Sequence, residues 1–158
     1  MLGEVEGLSA DDRELLTWAI WWHDAVYDPQ ASDNEAQSAV MAEQDLAAMG
    51  VPPDRRDEVA RLIHLTAGHQ VDPVDRLGAL LVSIDLAILG AEPSAYDAYA
   101  AAVREEYAHV TEPLWRDGRA RVLQRFLDAP VIFAEPGFRG RFEAQARRNL
   151  ARELAGLR

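Results

Sequence analysis

The sequence predicts an all-α protein, folded as a single compact domain of six or seven helices over residues 1–158. Helix start and stop signals recur along the whole chain. No stretch shows the apolar–polar alternation of a half-buried strand bounded by hairpin turns. No repeat, low-complexity tract or linker divides the chain, and its length is sufficient for one hydrophobic core.

The first half of the chain contains four predicted helices. Ser9 begins a capping box, and the residue before Pro29 disfavours helical backbone and ends the first helix. A second capping box spans residues 32–35, and Gly50 and Gly90 are typical helix terminators. The predicted helices cover about residues 9–26, 32–50, 55–68 after Pro52-Pro53-Asp54, and 72–90, the last with Pro73 in its first turn.

Three further helices are predicted in the second half. The fifth runs from about Ser94 to residue 107, and the sixth follows Thr111. Residues 134–138, "AEPGF", are predicted to form a turn. The last helix covers about residues 139–155 and ends at Gly156. Its apolar face is a stripe at helical spacing, formed by Phe142, Ala146, Leu150 and Leu154.

The composition excludes several functional classes. A net charge of -11 and a pI near 4.7 argue against nucleic-acid binding, which depends on neutralising phosphates. The absence of cysteine excludes disulfides, thiolate zinc sites and cysteine nucleophiles, so a metal would need His, Asp and Glu ligands. The N-terminal residues do not resemble a secretory signal, and no apolar run is long enough to span a membrane. We therefore expect a cytoplasmic protein without a membrane partner.

Two polar features interrupt strongly apolar segments. The stretch "AIWWHDAVYD", residues 19–28, contains His23 and Asp24, whose side chains coordinate metals and transfer protons. The stretch "LGALLVSIDLAILG", residues 77–90, contains Asp85, and a buried carboxylate must be protonated, paired or metal-bound. One ion held by all three residues would explain both features. The alternatives are a solvated His-Asp pair at a helix end, and an Asp85 that pairs with an arginine or lies on a narrow solvent-facing strip.

The segments around these residues resemble the HD-domain superfamily of metal-dependent phosphohydrolases, in particular members without a settled substrate. The similar segments are "WWHDAVYDPQASDNEAQSA", "LIHLTAGHQ", "SIDLAILGAEPSAYDAYAAAVREEY", "GRARVLQRFL" and "EAQARRNLAREL". The resemblance implies an all-helical fold and a divalent ion (Mn, Co, Ni, Mg, Zn or Fe). Its ligands would be an upstream histidine, the HD pair His23 and Asp24, and the later Asp85. Residues 1–22 contain no histidine, so we expect the first ligand to lie upstream of Met1 or to be missing.

The resemblance also suggests additional site residues. His69 follows a predicted helix end and is the candidate substitute or auxiliary metal ligand; a loop histidine is the alternative. Where the guanosine tetraphosphate hydrolases have a Glu-Asp pair after the HD pair, this chain has Tyr27 and Asp28. Asp28 and Glu35 therefore join Asp24 as candidate general acids or bases. Glu35 has an alternative role as the acidic residue of a capping box.

The substrate implied by the resemblance is a small phosphate ester, with nucleotides included. Arg104, Arg119 and Arg147 lie in the similar segments and are candidates for phosphate binding, because a guanidinium matches phosphate geometry. The alternative is that each arginine is solvated or ion-paired. The apolar helices also permit a homodimer.

The sequence is compatible with two other functions. A vestigial HD fold used for binding or assembly is compatible with a missing first histidine. An HD-type di-iron oxygenase would need more histidine ligands than the 4 histidines of this chain provide.

Overall fold

The computed structural model describes residues 7–72 and 74–157, which contain helices and no strands. The predicted all-α class is therefore confirmed. The described residues form seven α-helices and a 3-10 helix, Leu86–Gly90. The α-helices are α1 (Ala10–Trp22), α2 (Asn34–Ala48), α3 (Pro53–Thr66), α4 (Arg76–Asp85), α5 (Pro93–Glu106), α6 (Glu112–Asp128) and α7 (Pro136–Leu157). The chain divides into two compact units, Met1–Asp85 and Leu86–Arg158, and the expectation of a single domain stays a prediction.

None of the described helices is by itself long and apolar enough to cross a membrane. The segments 76–90 and 93–106 pass the same test of length and composition only when they are counted together.

The first unit is built from α1 to α4. Helix α2 packs against α3, and α1 contacts α2, α3 and α4. Their apolar positions form a core in which Leu16, Leu46, Leu62, Ile63 and Leu81 are fully buried. Burial of each such side chain contributes roughly 1.5–3 kcal/mol. This packing holds the C-terminal ends of α1 and α4 in place within the unit.

Helix α1 begins as predicted but ends four residues earlier than the sequence suggests. The Ser9 hydroxyl accepts a hydrogen bond from the Asp12 backbone N–H at 3.0 Å, as in an N-cap. At the other end, the Val26 backbone N–H donates to the buried Ser38 hydroxyl at 3.0 Å. The same hydroxyl donates to the Val26 carbonyl at 3.3 Å. Ser38 of α2 therefore bonds the N–H and the carbonyl of Val26, which would have bonded within the helix if α1 were longer.

Two predicted helix starts in this unit are wrong. Helix α2 begins at Asn34 after Asp33, which makes no side-chain cap, and Ser32 is not part of a capping box. The Asn34 amide instead bonds both the N–H and the carbonyl of Asp28, each at 2.9 Å. Helix α4 begins at Arg76 rather than at residue 72, and Pro73 lies outside the described residues.

The second unit is built from the 3-10 helix and α5 to α7. Helix α7 packs against both the 3-10 helix and α6, and α5 packs against the 3-10 helix. At Gly90 a Cβ atom would lie 2.6 Å from Phe142 Cβ, so only glycine permits this close approach. The buried Asn149 amide donates to the carbonyls of Leu89 and Ala91 and fixes the end of the 3-10 helix.

Helix α7 is longer at both ends than predicted. It begins at Pro136, inside the predicted turn, because the Glu135 carboxylate accepts the Phe138 backbone N–H at 2.7 Å. It continues through Gly156 to Leu157, so the predicted terminator is wrong. The predicted apolar stripe is confirmed for Ala146, Leu150 and Leu154, which are buried, whereas Phe142 is half-buried.

A buried ion pair joins two helices of the second unit. Arg119 of α6 donates to both carboxylate oxygens of Glu153 of α7, at 2.7 and 3.1 Å. The Tyr96 hydroxyl of α5 donates to the same carboxylate. The Arg119 and Glu153 side chains are only 8% and 15% exposed, so removing one partner would leave the other buried without compensation.

We expect Glu153→Ala to lower the free energy of unfolding by about 3 kcal/mol, because it leaves the Arg119 guanidinium and the Tyr96 hydroxyl without their acceptor. The matched control is Asp97→Ala, which removes the exposed partner of Arg152 and should change stability by less than about 1 kcal/mol. Chemical denaturation of both variants measures the difference. Equal losses would contradict the assignment of the buried pair.

Candidate metal centre

His23 is held in one orientation at the end of α1. Its Nδ1 lies 2.8 Å from the Ile20 backbone carbonyl, which can only accept a hydrogen bond, so Nδ1 carries a proton. The other ring nitrogen, Nε2, faces two carboxylates at 3.4 Å each: Oδ2 of Asp24 and Oδ1 of Asp85. The backbone contact thus directs Nε2 toward the acids.

Asp85 is the last residue of α4, at the point where the chain tightens into the 3-10 helix. Its Oδ1 faces His23, and its Oδ2 lies 2.9 Å from Nε2 of His69. The side chain is 23% exposed. The sequence predicted that this carboxylate requires a partner, and its partners are two histidines rather than an arginine.

Protonation follows from these contacts. The hydrogen bond to Asp85 outweighs the effect of burial and, with the Ile20 carbonyl and the Asp24 charge, raises the pKa of His23 to about 9. Burial raises the pKa of Asp85, but the hydrogen bonds with His23 and His69 outweigh it and lower that pKa to about 2. For Asp24, burial and the charges of Asp85 and Glu35 raise the pKa despite the opposing effect of His23. Without a metal, His23 is a cation between two acids at neutral pH.

Three of the predicted ligands lie close enough to share one ion. One ligand atom each from His23, Asp24 and Asp85 falls within 4.8 Å of the other two. Ligand atoms at about 2.1 Å from a common ion lie roughly 3.0–3.4 Å apart in octahedral or tetrahedral geometry. The separations of 3.4 Å from Nε2 to each carboxylate match that spacing. An imidazole with two carboxylates suits Mn, Fe, Co, Ni or Zn.

His69 reaches the site but lies outside this group of three donors. It follows α3, and its backbone has a positive φ of 55°, which is uncommon for a residue other than glycine. Its backbone N–H bonds the Leu65 carbonyl, and its side chain turns to Asp85. The prediction of His69 as a metal ligand stays a prediction, whereas its contact with a predicted ligand is observed.

The two further candidate acids differ in their surroundings. Glu35 of α2 is half-buried, and its charge acts on the pKa of Asp24. Asp28 uses its side chain in a local turn, where its Oδ1 accepts the Gln30 backbone N–H at 2.9 Å. Glu35 is therefore the acid whose charge is coupled to the cluster.

The three candidate phosphate-binding arginines belong to the second unit, and each is engaged there. Arg104 bonds the Tyr107 carbonyl and the Glu112 carboxylate. Arg119 is paired with Glu153. Arg147 bonds Glu143 and carbonyl oxygens at the end of α6. Their predicted role in phosphate binding stays a prediction.

Sequence reasoning missed two residues that shape the site. Ser38 and Asn34 of α2 hold the backbone of residues 26 and 28, just after the HD pair. Both lie in the segment "DNEAQSA", which belongs to the resemblance and overlaps the predicted capping box of residues 32–35. Ser38 and Asn34 lie 12 and 6 residues from their partners in sequence, and no local sequence pattern predicts such contacts.

The cluster predicts the pH dependence of stability in the metal-free protein. Because the pKa of His23 rises from 6.5 to about 9, its contribution is complete below pH 6.5 and is lost as pH rises through about 9. Because the pKa of Asp85 falls from 3.8 to about 2, its contribution is present above pH 3.8 and is lost as pH falls toward 2. We expect the free energy of unfolding to fall by a value on the order of 3 kcal/mol between pH 6.5 and 9.5.

Chemical denaturation of chelator-treated samples across this pH range measures the fall. In Asp85→Asn the free energy of unfolding should depend less on pH, and an unchanged pH dependence would contradict the pairing.

No family model matches the chain, and no curated protein and no solved structure shows significant similarity to it.

Proposed function

We propose that this protein is a metal-dependent phosphohydrolase that acts on a small phosphate ester, nucleotides included. The observation that carries the proposal is the convergence of His23, Asp24 and Asp85 from the ends of two helices within 4.8 Å. The sequence resemblance to HD-domain phosphohydrolases gives this geometry a chemical interpretation. Both supports concern the same three residues, of which Asp85 lies far in sequence from the adjacent His23 and Asp24.

The donor set fits a divalent ion, which His23 Nε2, Asp24 and Asp85 would hold. When bound, such an ion supplies Lewis acidity and lowers the pKa of a coordinated water toward neutrality. Asp24 is 66% exposed and stands on the open side of the cluster, where it can also orient a water molecule. Glu35, whose charge acts on Asp24, is the better placed of the two other acids to accept a proton.

Electrostatics explain why a phosphate ester would need the ion in order to bind. The chain carries a net charge of -11, and two of its carboxylates, Asp24 and Asp85, lie at the site itself. A phosphate dianion is repelled by such a surface unless a local cation offsets it. The metal therefore serves both in substrate binding and in catalysis in this proposal.

A second function has a specific observation in its favour. Asp85 has two histidine partners, at 3.4 and 2.9 Å, so the cluster can be stable as an ion-pair network. A non-catalytic module with the same fold would retain such a network. Metal affinity separates the two functions, because only the phosphohydrolase requires it.

Phosphatase activity is the direct test. We expect hydrolysis of p-nitrophenyl phosphate or a nucleoside monophosphate when Mn²⁺, Co²⁺, Ni²⁺ or Mg²⁺ is added, and its loss with chelator. Asp24→Ala and Asp85→Ala should each lower kcat/KM by at least about 100-fold, because each removes a ligand that holds the ion. Glu35→Gln should lower kcat by about 10²-fold or more if Glu35 transfers a proton.

Asp28→Asn is the matched control for Glu35→Gln, because Asp28 is an acid of the same segment that is engaged in a turn. It should retain most of the activity. Full turnover in the double variant Asp24→Ala, Asp85→Ala, or no metal-dependent turnover in the wild type, would overturn the proposed function.

Metal binding should release a proton. At pH 7.5 the metal-free His23 is protonated, since its pKa is about 9, and the ion needs the Nε2 lone pair. Calorimetric titration with Mn²⁺ in buffers of different ionisation enthalpy should therefore show the release of about one proton at pH 7.5, and less at pH 9.5. Binding without proton release at pH 7.5 would exclude His23 as a ligand.

A further inference from the structure

The two oxygens of Asp85 have different partners. Oδ1 faces His23 Nε2 at 3.4 Å, within the group of three donors, while Oδ2 lies 2.9 Å from His69 Nε2. One oxygen is thus presented to the candidate ion position and the other is held from outside it. Such outer partners fix the orientation of ligating carboxylates in metal sites.

The chemistry of the imidazole decides which role His69 has in this arrangement. An aspartate side chain is ordinarily ionised at neutral pH, and an ionised carboxylate only accepts hydrogen bonds. The contact at 2.9 Å therefore requires a proton on Nε2 of His69. His69 Nε2 lies outside the group of three donors, unlike His23 Nε2, so it would keep this proton and its hydrogen bond to Asp85 when the three donors hold an ion.

The backbone supports a fixed position for His69. Its φ of 55° lies in the left-handed region, where glycine is favoured, and the residue before it is Gly68. Its N–H bonds the Leu65 carbonyl at 2.9 Å, which closes the end of α3. His69 thus adopts a backbone conformation that favours glycine, and its side chain contacts Asp85.

We propose that His69 is a positioning residue for the metal centre, which holds Asp85 Oδ2 so that Oδ1 faces His23 and Asp24. This inference rests on the proposed function, because it assumes that the three donors bind an ion. It replaces the predicted role of His69 as a ligand with a role that acts through Asp85.

Four variants test this role through Co²⁺ affinity and the number of imidazoles bound to Co²⁺, measured by titration and by X-ray absorption. His69→Gln places an amide N–H where the imidazole N–H was and should recover most of the wild-type affinity. His69→Ala and His69→Gly should weaken Co²⁺ binding by about 10- to 100-fold. Glycine suits the positive φ, so His69→Gly keeps the fold even if alanine does not. The control is His64→Gln, on an exposed position of α3, which should bind Co²⁺ as the wild type does.

We expect one imidazole per Co²⁺ in the wild type and in His69→Gln. Two imidazoles in the wild type, or a glutamine variant as weak as alanine, would show that His69 is a ligand and overturn the inference. Unchanged affinity in all His69 variants, or no Co²⁺ binding by the wild type, would overturn it as well. Strong Co²⁺ binding with this pattern but without phosphatase turnover would leave the inference standing and remove only the proposed function.

Discussion

The site depends on the pairing of the Asp85 carboxylate with two histidines, at the half-buried end of an apolar helix. An ionised carboxylate in such a place is tolerated only when hydrogen bonds and opposite charge offset its lost hydration. His23 provides both from the end of α1, and His69 adds a hydrogen bond from just beyond α3. Meeting the requirement of one residue therefore brings three helix ends together.

The position of Asp24 depends on contacts that end α1 early. Ser38 of α2 binds both the N–H and the carbonyl of Val26, and Asn34 does the same for Asp28. These contacts bind the backbone of residues 26 and 28 to α2, shortly after the HD pair. As a result Asp24 is left 66% exposed beside His23, so one acid of the cluster is accessible and the other is shielded.

The sequence was informative where the physical cause is local, and less so where it is tertiary. The Ser9 cap and the terminator Gly50 act over one turn, and the helices they delimit were predicted within a few residues. The end of α1 was missed because Ser38, which determines it, lies 12 residues further on. The candidate donors were found because a carboxylate in an apolar run violates a burial rule that needs no structure. The partners of Arg119 and Arg147 could not be found in this way, since arginine in a helix is usually exposed and its presence gives no comparable signal of burial.

The charge balance of the cluster reconciles its metal-free stability with the proposed metal site. His23 Nε2 lies 3.4 Å from one oxygen of each acid, and these contacts raise the pKa of His23 to about 9, so this nitrogen keeps its proton at neutral pH. A divalent ion would take the place of that proton, because it needs the same nitrogen and the same two oxygens. The proton and the divalent ion are then alternative occupants of the same position between His23, Asp24 and Asp85. A stable network without metal does not count against metal binding, because the repulsion between Asp24 and Asp85 that retains the proton is the same force that would retain the ion.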